Sequence, residues 1–469
     1  MKSSITRRAA AVLGLSVLGL GTLAACSSGD SGAADKSTSP TAVATLSGPV
    51  TLTVAIDKGL SKDAKDQFDA RVAAFEKANP LITVKAQEYT WTATTFTADL
   101  AGGTLPDVFT VPFTDGRGLI AQDQIANVSG LVSQLPYADS FNPNIAAEGE
   151  DADGNMWAVP IAAYGQGLHY NRTLFTQAGL DPDKPPTTWD EVRTDAKAIA
   201  DKTGQAGLAM MTKDNTGGWI FTTMVNAFGG RVEATDGGTT TATIATDQAK
   251  QVAQYLHDLR WTDNSMGANF LYDWNGINQD FAAGKIGMYV SGGGNLPNLI
   301  TQNDMNLDDY GLTVLPLQGD DAGVLGGGTL AAVSAKADEQ AQVAAVKWID
   351  FYYVQPLVDK DAAVSSAQQS VANKQPVGAP QLPIFDQKTY EQQQEWIKPY
   401  VNVPLDQMTG YTDNVFKQPL VPEPGVATQD VYAKLDPVVQ SILTQKDADI
   451  DKLLSDAQTQ AQRAIDSAS

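Results

Sequence analysis

Residues 154–198 read GNMWAVPIAAYGQGLHYNRTLFTQAGLDPDKPPTTWDEVRTDAKA, and most of the fold can be argued from them. Asp153-Gly154 is a hairpin-turn dipeptide, because glycine takes a positive φ at no steric cost. Ala158 to Tyr170 follows as one extended run. Pro186, Thr187 and Thr188 then mark a helix start, and Trp189 to Ala200 reads as the helix itself. The same grammar surrounds this stretch. On the N-terminal side, Val50 to Ile56 alternates as a strand. Ser61 to Ala78 has Phe68, Val72 and Phe75 at helical spacing, and Asn79-Pro80 stops it. Leu81 to Ala86 is a second strand, a helix runs to Leu100, and Asp107 to Val111 is a third strand. On the C-terminal side, Leu208 to Thr212, Ile286 to Val290, Tyr310 to Leu317 and Leu330 to Ser334 read as strands. Gln340 to Tyr353 is an amphipathic helix. Thr428 to Ala468 is helical, with Leu435, Val438, Val439, Ile442 and Leu443 as its apolar stripe. Strand and helix alternate, which predicts a largely parallel sheet with helical cover. The chain's 469 residues suit two such α/β lobes ending in helices.

Charge and cysteine usage remove several function classes. The net charge is −22, from 54 acidic against 32 basic residues. A surface that negative repels phosphate backbones and anionic lipid headgroups, so no nucleic-acid partner is expected. The chain has one Cys and two His, at 169 and 257. That rules out a disulfide framework and a multi-cysteine metal site, and neither a cofactor nor a metal is expected. Asp151 to Asn155 resembles the start of a calcium loop, but Met156 and Ala162 stand where Gly and a bidentate Glu are required.

The N-terminus carries an address. Lys2, Arg7 and Arg8 precede an apolar run from Ala9 to Ala25 that is short for a membrane span. It ends Leu23-Ala24-Ala25-Cys26 before the polar Ser27-Ser28-Gly29-Asp30, a pattern that looks like a bacterial lipobox. Residues 1–25 are then a lipoprotein signal peptide. Cys26 is the lipidation site, carrying diacylglycerol and palmitate, and residues 26–47 are a flexible Ser/Thr/Ala/Gly linker. The expected location is the extracellular face of the bacterial cell membrane.

Two features suggest a ligand. Trp91, Tyr164, Trp219, Trp274 and Tyr411 stand in polar, loop-like contexts, where rings can stack on the CH faces of sugars. Trp189 and Trp348, on helices, are assigned to the core. Gly292-Gly293-Gly294 and Gly326-Gly327-Gly328 lack a phosphate-loop pattern; they are either tight turns or points where backbone approaches a ligand closely.

Several segments together resemble the maltose-binding-protein-like family of extracellular solute-binding proteins, the lipid-anchored receptors of sugar ABC importers. The most specific is Gly154 to Ala198, with its VP strand, its LF-x-x-AGLD helix and its TWDE start. Leu105 to Phe109 resembles the family's PDV strand, and Phe281 to Met288 its F-x-x-GK element. Tyr310 to Pro316 followed by Gly326-Gly327-Gly328 resembles the strand and glycine loop where the chain recrosses. The resemblance implies a two-lobe periplasmic-binding-protein-like fold of type II, with hinge crossings and a helical C-terminal region. The crossings would fall near Pro160–Ala163 and Leu315–Leu317. Lobe I would span 48–162 and 317–365, lobe II 163–316, and 366–469 would belong mainly to lobe II. The implied ligand-binding set is Asp57, Lys58, Glu88, Trp91, Asp115, Tyr164, Trp219, Trp274, Gly293, Gly327, Gly328 and Tyr411. Gly294 replaces the family's Trp, and Tyr164 its Glu, which argues against maltodextrin while leaving a carbohydrate. The implied role is a monomeric, non-enzymatic importer component that closes on a mono- or oligosaccharide and passes it to ABC permease subunits. The rival class is an extracellular glycoside hydrolase, which needs a pair of carboxylates across the scissile bond; nothing in the sequence positions one.

Overall fold

A computed structural model describes residues 45–60 and 62–468. The expected signal peptide, Cys26 and nearly all of the expected linker lie outside the described residues. At the linker's end, Ser47 donates from its N–H and its hydroxyl to Gln340 Oε1, at 2.7 and 3.0 Å.

Strands β1 (Val50–Ile56), β2 (Ile82–Glu88) and β3 (Val108–Pro112) are parallel, with β1 between the other two. Leu52 and Val54 are buried, as their alternation requires, and Phe68 and Phe75 of the Lys62–Ala78 helix are buried as well. Asp107, of the PDV motif, locks β3 to β1. Its carboxylate accepts from the N–H and the hydroxyl of Thr53, both at 2.7 Å, and its own N–H donates back to that hydroxyl at 2.9 Å.

Strand β4 (Val159–Asn171) is 13 residues long. Asn171 caps the following Arg172–Ala178 helix by accepting from Leu174 N at 2.9 Å, and Gly179, at φ 82°, ends it. Thr188 and Glu191 form a capping box at the Trp189–Thr203 helix, which buries Trp189. Then come β5 (Ala206–Ala209), the hairpin β6 (Glu233–Asp236) and β7 (Thr239–Ala242), β8 (Ile286–Gly292), β9 (Tyr310–Val314), β10 (Val324–Val333) and β11 (Leu420–Pro422).

The main sheet has the order β2-β1-β3-β10-β4-β8-β5, with β11 beside β10 and β9 beside β4. It is mixed, not largely parallel. Strand β10 runs antiparallel to both β3 and β4, and β4 runs antiparallel to β8 and β9. A chain that leaves along β4 has to return against it. Leu315–Leu317, expected to recross, follows β9 outside any strand, and the next strand, β10, lies between β3 and β4.

Buried His169 ties β4 to its neighbours. A carbonyl only accepts, so Nε2–H donates to Gly292 O at 3.1 Å, and Nδ1 therefore accepts from the Tyr310 hydroxyl at 2.9 Å. Burial pushes this imidazole down to about 4, so it stays neutral at physiological pH. The expected C-terminal helix is two helices, Thr428–Thr444 and Ile450–Ala468. The first packs closely on the Thr216–Ala227 helix: a Cβ on Gly218 would lie 2.2 Å from Tyr432 O.

Candidate functional site

Strand β4 changes partners at Tyr164–Gln166. Tyr164 sits opposite Gly327 of β10, and Gln166 opposite Gly292 of β8. Cavities gather where the two halves of the sheet meet. The largest of them, about 460 Å³, is walled by Tyr164, Trp219, Trp274, Asn295, Thr329 and Gln381. Two smaller ones adjoin it. One, about 90 Å³, lies by Arg117, Glu148, Tyr164 and Glu423; the other, about 140 Å³, lies by Asp214, Trp219 and Glu423.

Each aromatic has a rigid support. Trp219 does not lie on a flexible loop, as the preceding Gly217-Gly218 suggests; it stands in the first turn of the Thr216–Ala227 helix. Those glycines are buried and let this helix approach Thr428–Thr444. Asp436 of that second helix accepts from Asn215 N and Gly218 N, both at 2.8 Å, and so occupies the N-terminus that carries Trp219. Trp274 opens the Trp274–Ala282 helix, capped by Asp273, which accepts from Gly276 N at 2.7 Å. The Tyr164 and Trp219 rings are 6.2 Å apart at 76°, and Trp219 and Trp274 are 6.2 Å apart at 46°.

Beside this wall, lining both smaller cavities, stands Glu423. The Tyr164 hydroxyl donates to its Oε1 at 2.5 Å, and Trp219 Nε1–H donates to the same oxygen at 3.2 Å. Burial pushes its carboxyl above the usual range, while the Tyr164 and Trp219 donors pull the other way. Nearby, Arg117 Nη2 donates to Glu148 Oε1 at 2.5 Å, and Glu148 is only 3% exposed. Glu423 was missed by sequence reasoning. Its one local signal is the setting Pro422-Glu423-Pro424-Gly425, an acid held in stiff backbone.

The two glycine triplets are placed differently from one another. Gly326–Gly328 lie inside β10, not in a turn, and an added Cβ at Gly327 would sit 2.6 Å from the Tyr164 hydroxyl. At Gly328 it would sit 2.3 Å from Ala162 O. At Gly293, in a short 3-10 turn after β8, it would sit 2.2 Å from the Tyr411 hydroxyl. Close approach is real at all three, and the near neighbours are the protein's own atoms.

Of the residues expected to bind ligand, Tyr164, Trp219, Trp274, Gly327 and Gly328 come together at the adjoining cavities. Asp57 lines a different cavity of about 520 Å³, with Arg71, Tyr89, Tyr352 and Tyr353. Lys58, Glu88, Trp91, Asp115, Gly293 and Tyr411 line none of these. Lys58 and Glu88 are exposed beyond β1 and at the end of β2. Trp91 stacks 6.1 Å from Phe109 and lies 4.8 Å from Phe96. Asp115 accepts from the Thr114 hydroxyl at 2.9 Å. Tyr411, read as a loop residue in a polar context, is 1% exposed in a short helix and packs beneath β4 and Gly293.

Residues 59–355 match the family of bacterial extracellular solute-binding proteins. The chain belongs to that family. Its members are substrate-binding proteins of ABC transporters that act outside the cytoplasm. Over 302 residues the chain is 24% identical to the sn-glycerol-3-phosphate-binding periplasmic protein UgpB of Salmonella typhimurium, covering 61% of this chain and 66% of that protein. Against UgpB of Escherichia coli it is 25% identical over 219 residues, covering 45% and 48%. The chain thus spans about half to two thirds of the length of these relatives. Among solved structures, the cyclic α-maltosyl-1,6-maltose binding protein of Arthrobacter globiformis aligns with a TM-score of 0.68 at 22% identity, covering 90% of this chain and all of that one. UgpB of Mycobacterium tuberculosis, in complex with glycerophosphocholine, aligns with a TM-score of 0.65 at 19% identity, covering 90% and 99%. The fold is the two-lobe α/β fold of type II periplasmic binding proteins.

The loop bearing Glu423 is backed by a second acid. Glu233 of β6 accepts from Val426 N at 3.3 Å through Oε2, while its buried Oε1 has no partner. Burial raises this carboxyl from an ordinary 4.5 to about 7. In that window the unfolded chain is ionised while the folded chain keeps its proton, so stability falls as pH rises from about 4.5 to about 7. The melting temperature of Glu233→Gln is therefore expected to fall less than that of the unaltered protein between pH 5 and pH 7.5. Parallel melting curves would show that Glu233 titrates normally.

Proposed function

We propose that this protein is the extracellular receptor of an ABC importer and that it captures a mono- or oligosaccharide at the wall of Tyr164, Trp219 and Trp274, beside Glu423. One observation carries the reading: three aromatic rings on rigid supports wall one cavity, and two of them hold in place a carboxylate that lines the two cavities adjoining it. Rings stack on the CH faces of a pyranose, and a fixed acceptor oxygen takes its hydroxyls. The cavity's size falls within the roughly 300–1,000 Å³ of small-molecule sites. The fold relatives include binders of neutral glycans and of phosphorylated glycerol, and the aromatic wall favours the glycans. In this reading the chain is a monomer without catalytic activity, closes about the β4 and β10 crossing on its ligand, and delivers it to permease subunits.

Trp219 is the residue on which the proposal depends most. Truncating a fully buried tryptophan costs about 3–5 kcal/mol of stability. Trp219 is half-buried and faces the cavity, so Trp219→Ala should melt close to the unaltered protein while losing roughly 1–3 kcal/mol of glycan affinity, about 5- to 150-fold. The test is a thermal-shift screen against a glycan panel followed by titration of each hit. A large loss of unliganded stability with affinity intact would assign the ring to the core instead.

We also propose that Cys26, the chain's only thiol, carries the lipid that holds the receptor at the cell surface. Cys26→Ala should release the protein to the medium or leave uncleaved precursor. Continued labelling of the variant with radioactive palmitate would refute the anchor.

A further inference from the structure

Around the cleft, the cation that lines it and two of its helix N-termini already hold a carboxylate of the chain itself. Arg117 is the one cationic side chain among the described residues lining the three adjoining cavities, and it is paired with buried Glu148. The N-terminus of the Thr216–Ala227 helix, a natural anion site, is taken by Asp436. That of the Trp274–Ala282 helix is taken by Asp273. Glu423 meanwhile stands beside the aromatic wall with two neutral donors, Tyr164 and Trp219, and both meet Oε1. Oε2 takes no hydrogen bond among the described residues. Asp214 adds another carboxyl at the edge of the cavity by Trp219.

We infer that Glu423 is the specificity determinant that restricts this cleft to ligands without a phosphate, so that the receptor takes uncharged saccharides and rejects their phosphorylated forms. The inference rests on the carbohydrate reading above and goes beyond it by fixing the ligand's charge class. Two like charges in a partly dry cleft repel strongly, and the one cation among the described residues lining these cavities, Arg117, already faces Glu148. A sugar hydroxyl, by contrast, donates to Oε2 and makes a charge-assisted hydrogen bond.

The experiment titrates the full secreted chain with matched pairs: glucose and glucose 6-phosphate, maltose and maltose 1-phosphate, glycerol and sn-glycerol-3-phosphate. The unaltered protein should bind only uncharged members, or bind them the more tightly. Glu423→Gln keeps an amide oxygen for Tyr164 and Trp219 and removes the charge, so it should fold. In it, the affinity ratio of neutral over phosphorylated partner should fall at least about tenfold. As a check that needs no variant, high salt should narrow the ratio in the unaltered protein. A phosphorylated member bound more tightly than its parent, or a ratio that ignores both the substitution and salt, overturns the inference and leaves the carbohydrate reading standing. Failure of every member of the pairs and of a wider neutral glycan array to bind overturns both.

Discussion

The backbone pairing of β4 is the constraint on which the rest of the structure depends. Its first half bonds to β10 from Val159 to Gly165, and its second half to β8 and β9 from Gln166 to Asn171. One continuous strand therefore belongs to both halves of the sheet. From Gly165 to Asn171 the strand is buried throughout, so its backbone polar groups there must be satisfied by its neighbours, and the change of partner has to occur within about one residue. Tyr164 stands at that point, and its ring crosses β10 over a glycine because no larger residue fits there.

The site follows from this geometry. Residues carried by β4, β10, the end of β8 and two helix starts converge where the strand changes partners, and the Glu423 loop closes them off. Asp436 is a positioning residue. By accepting the N–H groups at the start of the Thr216–Ala227 helix, it fixes the ring of Trp219 although it never faces the cavity wall itself. Glu233 plays a similar part for the Glu423 loop. Carboxylates thus build the cleft and set its charge together, in keeping with an acidic chain that has few cations to spare.

Much of the fold was legible in the sequence because its signals are local. The Thr188 cap and the β1 alternation act within a few residues, and each stands in the structure where the sequence puts it. Strand direction was not legible, since β10 meets β3 and β4 across more than a hundred intervening residues, and no local pattern records which way it runs. The site divides along the same line. Tyr164, Trp219 and Trp274 could be picked out as aromatics in polar settings. Glu423 could not, because its meaning comes from a tyrosine 259 positions away. Tyr411 misled for the complementary reason: its polar sequence neighbours conceal a ring buried by distant strands. Gly217-Gly218 looked like flexibility and is close packing, a distinction that only the opposing helix reveals.

The central claim is that the cavity at the change of partner, rather than the one beside Asp57 and Arg71, holds the sugar. A crystal structure of the mature chain with the glycan that most raises its melting temperature tests this most directly. The account predicts a sugar ring stacked on Trp219 or Trp274, with a hydroxyl donating to Glu423. A glycan seated beside Asp57, Arg71 and Tyr352, with the Trp219 cavity empty, would contradict it.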